Sequence, residues 1–436
     1  MGKLAITGGR PVRRQPFPAW PVYDRQDARA LQRVLESRNW GGYPFPNDRA
    51  DRFARSFARF QGAKYGLAVA NGTVAIEIAL KAAGIAPGHE VIVPAYTWEG
   101  TVGPILLLNA VPVFVDIDPE TYCMDPREIE AAITPRTRAL LPVHLGMCFA
   151  DLDAIGRIAH KHKLAVIEDC AHAHGGRWRG KGAGASGDLG CFSFQSSKLM
   201  TSGEGGAVIT SKLECFERAQ SYTNCGRASA TDRFRHRFIG FNFRLTEFQA
   251  ALLEGQLRRL PTQARVRRAN MERFERRISA IAGLATLTRD PRITDIAAYQ
   301  YVFKYLPEHF GGVPRAAFLG ALEMEGIPCD GLFYEPVYRS ALFPVESTDF
   351  PALSWDREPL DFKSVRCPVS ERAAYEEAIW LPHHIFLGTR ADTDDVANAV
   401  ERIVENIGEL RGLKHPAIGR KAMSRAERPR VEKRQW

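Results

Sequence analysis

The sequence has few features of a secreted or membrane protein. Its eight cysteines are scattered and contain no C-x-x-C pair, which is typical of reduced thiols in a large intracellular chain. The longest apolar stretch, VGPILLLNAVPVFV, is too short and too interrupted to span a bilayer. The N-terminal segment MGKLAITGGRPVRRQPFPAW has no apolar signal core. We therefore expect a soluble cytoplasmic protein with no membrane partner.

Positive charge is concentrated in one segment. The formal net charge is +9, but residues 420–436, RKAMSRAERPRVEKRQW, contain seven Lys or Arg and two Glu. The rest of the chain carries about +4, which does not favour a nucleic-acid partner. We predict that residues 416–436 form a solvated, disordered tail, with an electrostatic contact to an acidic partner as the alternative.

Short β-branched segments alternate with helical patterns from about residue 50. YGLAVA, EVIVPA, VPVFVDI and LAVIEDCAH predict buried strands, and TVAIEIALKAAG and DLDAIGRIAHKHK predict helices. Buried strands joined by helices indicate an α/β domain with a mostly parallel sheet. After about residue 270 a long Arg-rich helix, MERFERRISAIAG, and mixed elements follow. We predict a large domain with an N-terminal arm over 1–270 and a smaller α+β domain over 271–415.

Ligands of such sheets bind at the carboxyl ends of the strands. The first such strand is followed by polar residues in the segment ANGT. Asn71, Gly72 and Thr73 lie there between a predicted strand and a predicted helix. Free N–H groups and the positive end of the helix would form a phosphate cradle, and Gly72 allows close approach. Simple N-capping by Asn71 or Thr73 is the alternative.

The second strand end is LAVIEDCAHAHGG, in which Asp169 follows an apolar run. A carboxylate there either caps a helix or stays ionised to pair with a buried cation. His172 and His174 follow without H-E-x-x-H or another ligand spacing. We interpret both histidines as polar residues that line a site, and we predict no metal site.

The third segment, GCFSFQSSKLMTSGEGGAVI, places Lys198 near Ser193, Ser196 and Ser197. A phosphate cradle, a carboxylate that holds a pyridinium proton, and a lysine on one rim are what pyridoxal 5′-phosphate (PLP) requires. Lys198 would form the Schiff base as a neutral amine, and the serine hydroxyls would contact the phosphate. The three segments together predict a PLP site, although Lys198 alone would be interpreted as a surface lysine.

Seven motifs occur in a definite order: ANGTVAIEIAL, VIVPAYTWEGT, PVFVDIDPETYCMD, PVHLGMCFADLDAI, VIEDCAHAHG, GDLGCFSFQSSKLMTSGEGGAVIT and GFNFRLTEFQAALL. In this order they resemble the DegT/DnrJ/StrS family of PLP-dependent sugar and aminocyclitol aminotransferases, from about residue 6 to residue 410. The resemblance implies a PLP-dependent transferase of fold type I, with the cofactor bound in the large domain.

The resemblance also implies roles for single residues. Lys198 matches the Schiff-base lysine, and Asp169 matches the partner of the pyridine nitrogen. Trp98 matches the aromatic residue that stacks on the cofactor ring, with a core tryptophan as the alternative. Asn242 matches a residue that reaches the phosphate of the neighbouring subunit, which implies a homodimer with shared active sites, while Arg244 is either part of that motif or in a structural ion pair. Further cofactor contacts match at Gly72, Thr73, His172 and Ser193.

The substrates are predicted from the same resemblance. Some relatives replace the lysine with histidine and remove oxygen, so Lys198 favours transamination. FYEPVYRS and WLPHHIFLG are similar to segments of members that act on cyclitol ketones. We expect transfer of an amino group from glutamine or glutamate to an inosose-like cyclic ketone in aminocyclitol or related natural-product biosynthesis. Substrate contacts are predicted, with ordinary packing as the alternative, at Tyr334, Tyr338, His383 and His384.

Other functions remain as alternatives. Within the family these are a nucleotide-sugar aminotransferase and an enzyme resembling aminohydroxybenzoate synthase. GAGASG, with Gly182, Gly184 and Gly187, satisfies the dinucleotide motif G-x-G-x-x-G. However, it follows the polar RWRGK and precedes the strand-like DLGCFSF, whereas a dinucleotide site needs a strand before and a helix after the motif. A non-catalytic binding protein that uses the basic tail is disfavoured by the intact Lys198 and Asp169.

Overall fold

The structure is a computed structural model that describes residues 3–42, 45–227, 236, 238–355 and 358–412. The predicted tail at 416–436 lies outside these described residues. No helix within them is long and apolar enough to cross a membrane. All eight cysteines are free thiols, and the cytoplasmic location stays a prediction.

The described residues form thirteen strands and eleven α-helices. The strands are β1 Tyr65–Val69, β2 Glu90–Pro94, β3 Val111–Val115, β4 Thr137–Leu140, β5 Ala165–Asp169, β6 Arg177–Trp178, β7 Lys181–Gly182, β8 Leu189–Ser193, β9 Gly206–Thr210, β10 Leu284–Thr286, β11 Ile293–Asp295, β12 Gln300–Tyr305 and β13 Ala378–Pro382. The helices are α1 Arg25–Ser37, α2 Asp48–Gln61, α3 Gly72–Ala82, α4 Glu99–Leu107, α5 Pro126–Ala132, α6 Leu152–His162, α7 Leu213–Thr223, α8 Glu247–Ile278, α9 Arg315–Met324, α10 Pro368–Arg372 and α11 Arg390–Glu405.

A seven-stranded sheet with the order β1-β9-β8-β5-β4-β2-β3 lies within the residues predicted as the large domain. Only β9 runs against its neighbours, since its pairings with β1 and β8 are antiparallel and the remaining pairings are parallel. The predicted strands YGLAVA, EVIVPA, VPVFVDI and LAVIEDCAH correspond to β1, β2, β3 and β5. The mostly parallel sheet of the prediction is therefore confirmed.

Helices cover both faces of this sheet. Leu67 and Val69 of β1 pack in one hydrophobic cluster with Ile76 of α3. Ala68, which lies between them, packs in a separate cluster with Phe53 of α2. Because successive side chains of a strand point to opposite faces, the two clusters are the two covered faces. This explains why the strands are apolar runs without a polar alternation.

A separate three-stranded antiparallel sheet, β10-β12-β13, lies within the residues predicted as the smaller domain. The predicted Arg-rich helix, residues 271–283, overlaps the last eight residues of α8, which begins at Glu247 with a capping box between Thr246 and Gln249 and ends at Ile278. The helix runs through the predicted boundary at residue 270. The N-terminal arm, predicted with the large domain, hydrogen-bonds to residues near α9 and α11, through Ala5 to Glu325 and through Arg13 to Asp395.

The GAGASG segment forms a loop around a buried carboxylate. The backbone N–H of Gly184 donates to Glu168 Oε2 at 2.9 Å, and the N–H of Ser186 donates to Oε1 at 3.0 Å. The N–H of Gly187 donates to the same Oε1, and His144 Nε2 lies 3.0 Å from Oε2. Glu168 is fully buried. The glycine-rich loop thus binds an internal carboxylate, which accounts for the motif without a dinucleotide.

Glu168→Gln should therefore destabilise the large domain. The amide nitrogen of glutamine would face backbone donors, and each buried donor left unsatisfied costs about 1–3 kcal/mol. We expect the free energy of unfolding in urea to fall by about 2 kcal/mol or more. Glu128→Gln, at an exposed position in α5, is the control and should change little. Equal stabilities of the two variants would contradict the role given to Glu168.

Candidate active site

The three predicted segments meet at one edge of the main sheet. Asp169 is the last residue of β5, and Ser193 is the last residue of β8. Val69 ends β1, and Asn71 follows it directly before α3. Because β1, β5 and β8 run in the same direction, their carboxyl ends lie along one rim. The structure therefore brings together the residues that the sequence predicted at strand ends.

The N-terminus of α3 offers free backbone donors at this rim. The Asn71 side chain accepts from the N–H of Val74 at 2.9 Å, and its backbone oxygen accepts from Ala75 at 3.0 Å. N-capping by Asn71 is therefore real. The N–H groups of Gly72 and Thr73 have no hydrogen-bond partner among the described residues, as expected for the first turn of a helix. They are available to an anion.

Gly72 and Ser193 are in direct contact. A Cβ atom at Gly72 would lie 2.6 Å from the Cβ of Ser193, so a larger residue would push the helix away from the strand end. The Ser193 hydroxyl oxygen accepts from the N–H of Gln195 at 3.3 Å, and its proton stays free to donate. The contact thus places the free N–H groups and a hydroxyl donor side by side.

Asp169 holds a buried carboxylate with a donor on each oxygen. Its Oδ2 accepts from the Thr101 hydroxyl at 2.8 Å, and its Oδ1 accepts from the N–H of Ala171 at 3.0 Å. Thr101 is in turn 2.9 Å from the hydroxyl of Thr97. Asp169 is only 5% exposed. Since a carboxylate can accept about four hydrogen bonds, it retains capacity for a further donor from a ligand.

His172 is a neutral ring with a fixed tautomer. Burial and the positive charge of Lys198 hold the pKa of His172 well below its ordinary value. Its Nδ1 accepts from the N–H of Gly146 at 3.1 Å, so the ring proton lies on Nε2. That nitrogen is 2.9 Å from the hydroxyl oxygen of Tyr334. His172 therefore donates to Tyr334, whose own proton points elsewhere.

His174 is neutral for the same reasons. Burial and the charge of Lys198 lower the pKa of His174 to about 3. Its Nε2 donates to the carbonyl oxygen of Ser193 at 2.9 Å, which fixes the end of β8. Neither His172 nor His174 belongs to a group of possible metal ligands among the described residues. That this pair has no metal role stays a prediction.

Lys198 lies in a turn after β8 and is half-buried. Its N–H donates to the carbonyl of Gln195 at 2.9 Å, and the side chain of Gln195 accepts from the N–H and hydroxyl of Ser197. Within the described part of the chain, the Lys198 amine forms no ion pair with a carboxylate. It lies 4.6 Å from the ring centroid of Tyr299. The amine is therefore not committed to a structural salt bridge.

Trp98 is 50% exposed at the start of α4, so the structure does not place it in the core. A Cβ atom at Gly100 would lie 2.7 Å from the Trp98 ring and 2.8 Å from the Thr73 hydroxyl. The ring centroids of Trp98 and Tyr334 are 6.5 Å apart. Trp98 thus lies at the rim between the free end of α3 and Tyr334.

The predicted substrate residues lie in different surroundings. The hydroxyl of Tyr338 donates to Glu371 and accepts from the N–H of Cys367, both at 2.8 Å, so its proton is used within the protein. His383 is buried and its Nε2 donates to the carbonyl of Ser197 at 3.0 Å, directly before Lys198. His384 is half-buried beside it. Tyr334 contacts both Trp98 and His172, which lies three residues after Asp169.

Asn242 is exposed and forms an isolated backbone bridge with Asn224. The guanidinium of Arg244 donates to the side-chain oxygen of Asn224 at 2.8 Å. Arg244 therefore has a hydrogen bond to an amide, and no ion pair of Arg244 with an acid occurs among the described residues.

Two residues of the site were not found from the sequence. Thr101, which donates to Asp169, follows Trp98 by three residues in AYTWEGT, and a hydroxyl in the first turn of the helix could have indicated it. Tyr299, which contacts Lys198, precedes β12 in the other domain, and no local signal connects it to the lysine.

These features define an α/β enzyme whose site combines an uncommitted amine with a buried carboxylate at the carboxyl ends of parallel strands. The sequence model of the DegT/DnrJ/EryC1/StrS aminotransferase family matches residues 22–401 of this chain. The chain belongs to this family, and the protein is an enzyme that transfers amino groups. The predicted family and enzyme class are thus confirmed.

Individual relatives are similar over nearly the whole chain. A Streptoalloteichus tenebrarius protein provisionally named L-glutamine:3-amino-2,3-dideoxy-scyllo-inosose aminotransferase is 45% identical over 94% of this chain and 99% of its own. An L-glutamine:2-deoxy-scyllo-inosose aminotransferase of the same organism is 40% identical, with the same coverages. The crystal structure of 3-amino-5-hydroxybenzoic acid synthase is 35% identical, with a TM-score of 0.78 over 89% of this chain and 100% of that chain. The predicted fold class is confirmed.

The buried histidines predict that stability falls in mild acid. The pKa of His174 is about 3 in the folded protein and about 6.5 in an unfolded chain. Between these pH values the unfolded state binds more protons, so the free energy of unfolding decreases as the pH falls below about 6.5. From pH 7.5 to pH 5.0 this single residue should account for a loss of about 2 kcal/mol.

Urea unfolding at both pH values checks this prediction. His174→Asn, which keeps a donor for Ser193, should reduce the acid-dependent loss of stability by about 2 kcal/mol. His160→Asn, at an exposed position in α6, should leave the loss as in the unmodified protein. A His174→Asn variant that is as acid-sensitive as the His160→Asn variant would contradict a neutral, buried His174.

Proposed function

We propose that the protein is a PLP-dependent aminotransferase that moves an amino group from glutamine to an inosose-like cyclic ketone in aminocyclitol biosynthesis. The observation that carries the proposal is the uncommitted amine of Lys198, on the same rim as the carboxylate of Asp169 and the free N–H groups of α3. The sequence also allows glutamate as the amino donor, and the absorption experiment compares glutamate with glutamine.

The residues present fit PLP. The N–H groups of Gly72 and Thr73 and the hydroxyl of Ser193 would hold the phosphate, because together they supply unpaired donors at the positive end of a helix. Asp169 would hold the pyridine nitrogen in its protonated form, since its carboxylate retains acceptor capacity. The exposed indole of Trp98 would cover one face of the ring and exclude water. PLP would supply an electron-accepting ring that stabilises negative charge on the amine-bearing carbon.

Lys198 would bind the cofactor and later move the proton. Its amine has no carboxylate partner among the described residues, so it can alternate between a neutral base and a protonated acid at one atom, Nζ. The neighbouring rings of His172 and His174 cannot compete for the proton, because burial and the charge of Lys198 depress the pKa of both. The protein thus leaves one group free to carry the proton between donor and acceptor.

Tyr334 would orient the acceptor. Burial, with Tyr299 and Asp169 nearby, raises the pKa of Tyr334 well above its ordinary value, so the hydroxyl stays protonated. Because His172 donates to its oxygen, the Tyr334 proton is free to donate to a ligand oxygen. A polyhydroxylated ring offers such oxygens. The two S. tenebrarius relatives, whose names specify glutamine as donor and an inosose as acceptor, support this substrate class.

A synthase of the aminohydroxybenzoate type is the second candidate, because a solved structure of that name is similar over the full length of its chain. By sequence, a synthase of this name is 37% identical to this protein, which is lower than the 45% and 40% of the two inosose relatives. The inosose-like acceptor is therefore the first choice.

We also propose that the enzyme is a homodimer with shared active sites. Asn242 is exposed, and two apolar neighbours are exposed with it, Ile239 at 90% and Phe241 at 50%. Apolar side chains in such a cluster favour contact with another protein surface. In a dimer, Asn242 would then reach the phosphate site of the partner subunit.

Visible absorption tests the proposed chemistry. Purified protein reconstituted with PLP should be yellow, L-glutamine should bleach the band, and 2-deoxy-scyllo-inosose or its 3-amino derivative should restore it, because the two halves of the reaction are separate. L-glutamate is added in a parallel sample. Lys198→Ala should keep the fold, as judged by circular dichroism, and lose turnover by at least about a thousandfold.

Other outcomes would overturn the proposal or its details. A band restored only by a nucleotide-linked keto-sugar would move the acceptor to that class. Failure of PLP to produce any band in the unmodified protein would contradict the cofactor assignment and favour a non-catalytic binding protein.

Asn242→Ala tests the shared site. If Asn242 contacts the phosphate across the dimer, PLP should dissociate about tenfold faster, since a hydrogen bond to a charged group contributes about 1.5–3 kcal/mol. PLP release is measured by dialysis and absorbance, and assembly by light scattering. Asn398→Ala, at an exposed position in α11, is the control. Unchanged PLP release together with a monomeric protein would remove the shared-site proposal.

A further inference from the structure

Tyr299 has no role in the reaction described above, yet it contacts the central lysine. It directly precedes β12 of the smaller domain and is 1% exposed. The Lys198 amine lies 4.6 Å from the centroid of its ring, within the range of a cation–π interaction. Among the described residues this ring is the only group that an ammonium at Lys198 contacts as a charge partner.

The hydroxyl of Tyr299 makes a second contact with the same turn. It lies 2.9 Å from the hydroxyl of Ser197, which in turn donates to the side chain of Gln195 at 2.8 Å. Gln195 also accepts the N–H of Ser197. One end of Tyr299 is therefore hydrogen-bonded to the turn, and its face lies against the amine that the turn presents.

Neighbouring rings fix Tyr299 in this position. The His172 ring is 4.2 Å away and the His383 ring 5.9 Å away, centroid to centroid. His383 donates to the carbonyl of Ser197. Gln300 pairs with Pro382 in the β12–β13 ladder, so Tyr299 and His383 lie at the same end of the small sheet. That end holds the lysine turn, residues 195–198, at two points, the hydroxyl and the carbonyl of Ser197.

We propose that Tyr299 is a positioning residue for Lys198. Its ring holds the ammonium form of the free lysine, and its hydroxyl fixes the turn at Ser197. The inference rests on the proposed function, in which Lys198 must be repeatedly released and recaptured as an amine.

A ring face suits this task better than a carboxylate. A buried carboxylate beside Lys198 would hold the ammonium form strongly, and the amine would then be a poor nucleophile. The quadrupole of a ring attracts the cation more weakly and carries no net charge. Tyr299 can thus orient the lysine without preventing it from losing its proton.

Acylation of Lys198 in the cofactor-free protein tests the contribution of the ring. Acetylation by an N-hydroxysuccinimide ester needs the neutral amine, and peptide mass spectrometry measures its rate at a fixed pH. Loss of the ring in Tyr299→Leu should increase the rate about fivefold, which equals about 1 kcal/mol and is typical of one cation–π contact.

Matched variants separate this effect from general loosening. Tyr301→Leu removes an equally buried ring from β12 that packs on Phe274 and Phe386 away from Lys198. It should leave acylation of Lys198 unchanged. Acylation of Lys304, which is buried on the same strand, reports whether the small sheet has opened. Tyr299→Phe keeps the ring and should acylate Lys198 within twofold of the unmodified rate.

Hydrogen exchange tests the hydroxyl. Tyr299→Phe should increase exchange of the peptide that spans residues 193–200, because Ser197 loses a partner that holds the turn. Tyr301→Phe removes a hydroxyl without a hydrogen-bond partner in the described structure and should not change that peptide.

The outcomes distinguish this inference from the proposed function. Equal acylation of Lys198 in Tyr299→Leu and Tyr301→Leu would overturn the role of the ring, whether or not PLP binds. A rise in Lys198 acylation accompanied by an equal rise at Lys304 would also overturn it, since that pattern is general opening. Failure of the unmodified protein to form a PLP band, with the fivefold effect intact, would reject the cofactor and leave the contact standing.

Discussion

The burial of one carboxylate, Asp169, is the constraint on which the site depends. A carboxylate removed from water is costly unless donors replace the water. Here the donors come from Thr101 in α4 and from the N–H of Ala171 after β5. The helix and the strand must therefore keep their relative positions for the carboxylate to stay satisfied. The start of α3 and the turn that carries Lys198 lie on the same rim of the sheet as this carboxylate.

Adjacent residues of β5 show how a strand can separate two carboxylates. Glu168 and Asp169 point to opposite faces of the sheet, as successive residues must. Glu168 is fully buried and accepts hydrogen bonds from the N–H groups of the GAGASG loop, with His144 beside it. Asp169 is held by fewer donors and keeps capacity for another. The same residue chemistry is thus structural on one face, while on the other face it is the group that we propose to hold the cofactor.

The sequence allowed prediction of features that depend on local order. Short patterns predict the buried strands, the helix start at Gly72, Asp169 at the end of a strand and Lys198 after one. These residues come together because parallel strands bring their carboxyl ends to one edge of the sheet. Contacts between segments that are distant in the chain leave no such pattern in the sequence. Tyr299 meets Ser197 across 102 residues, and Tyr334 meets His172 across 162. The role of GAGASG was also not evident, since a nest of N–H groups binds a carboxylate as readily as a phosphate.

The turn that carries Lys198 follows β8 of the main sheet, but two of the groups that hold it, Tyr299 and His383, lie at one end of the small sheet. Tyr299 directly precedes β12 and His383 directly follows β13, and these two strands pair in a three-stranded sheet. Fraying at that end of the small sheet would remove these two contacts from the turn while β5 and β8 stayed paired. Heat inactivation and melting of the main core would then be two separate events, with the catalytic geometry lost at the lower temperature.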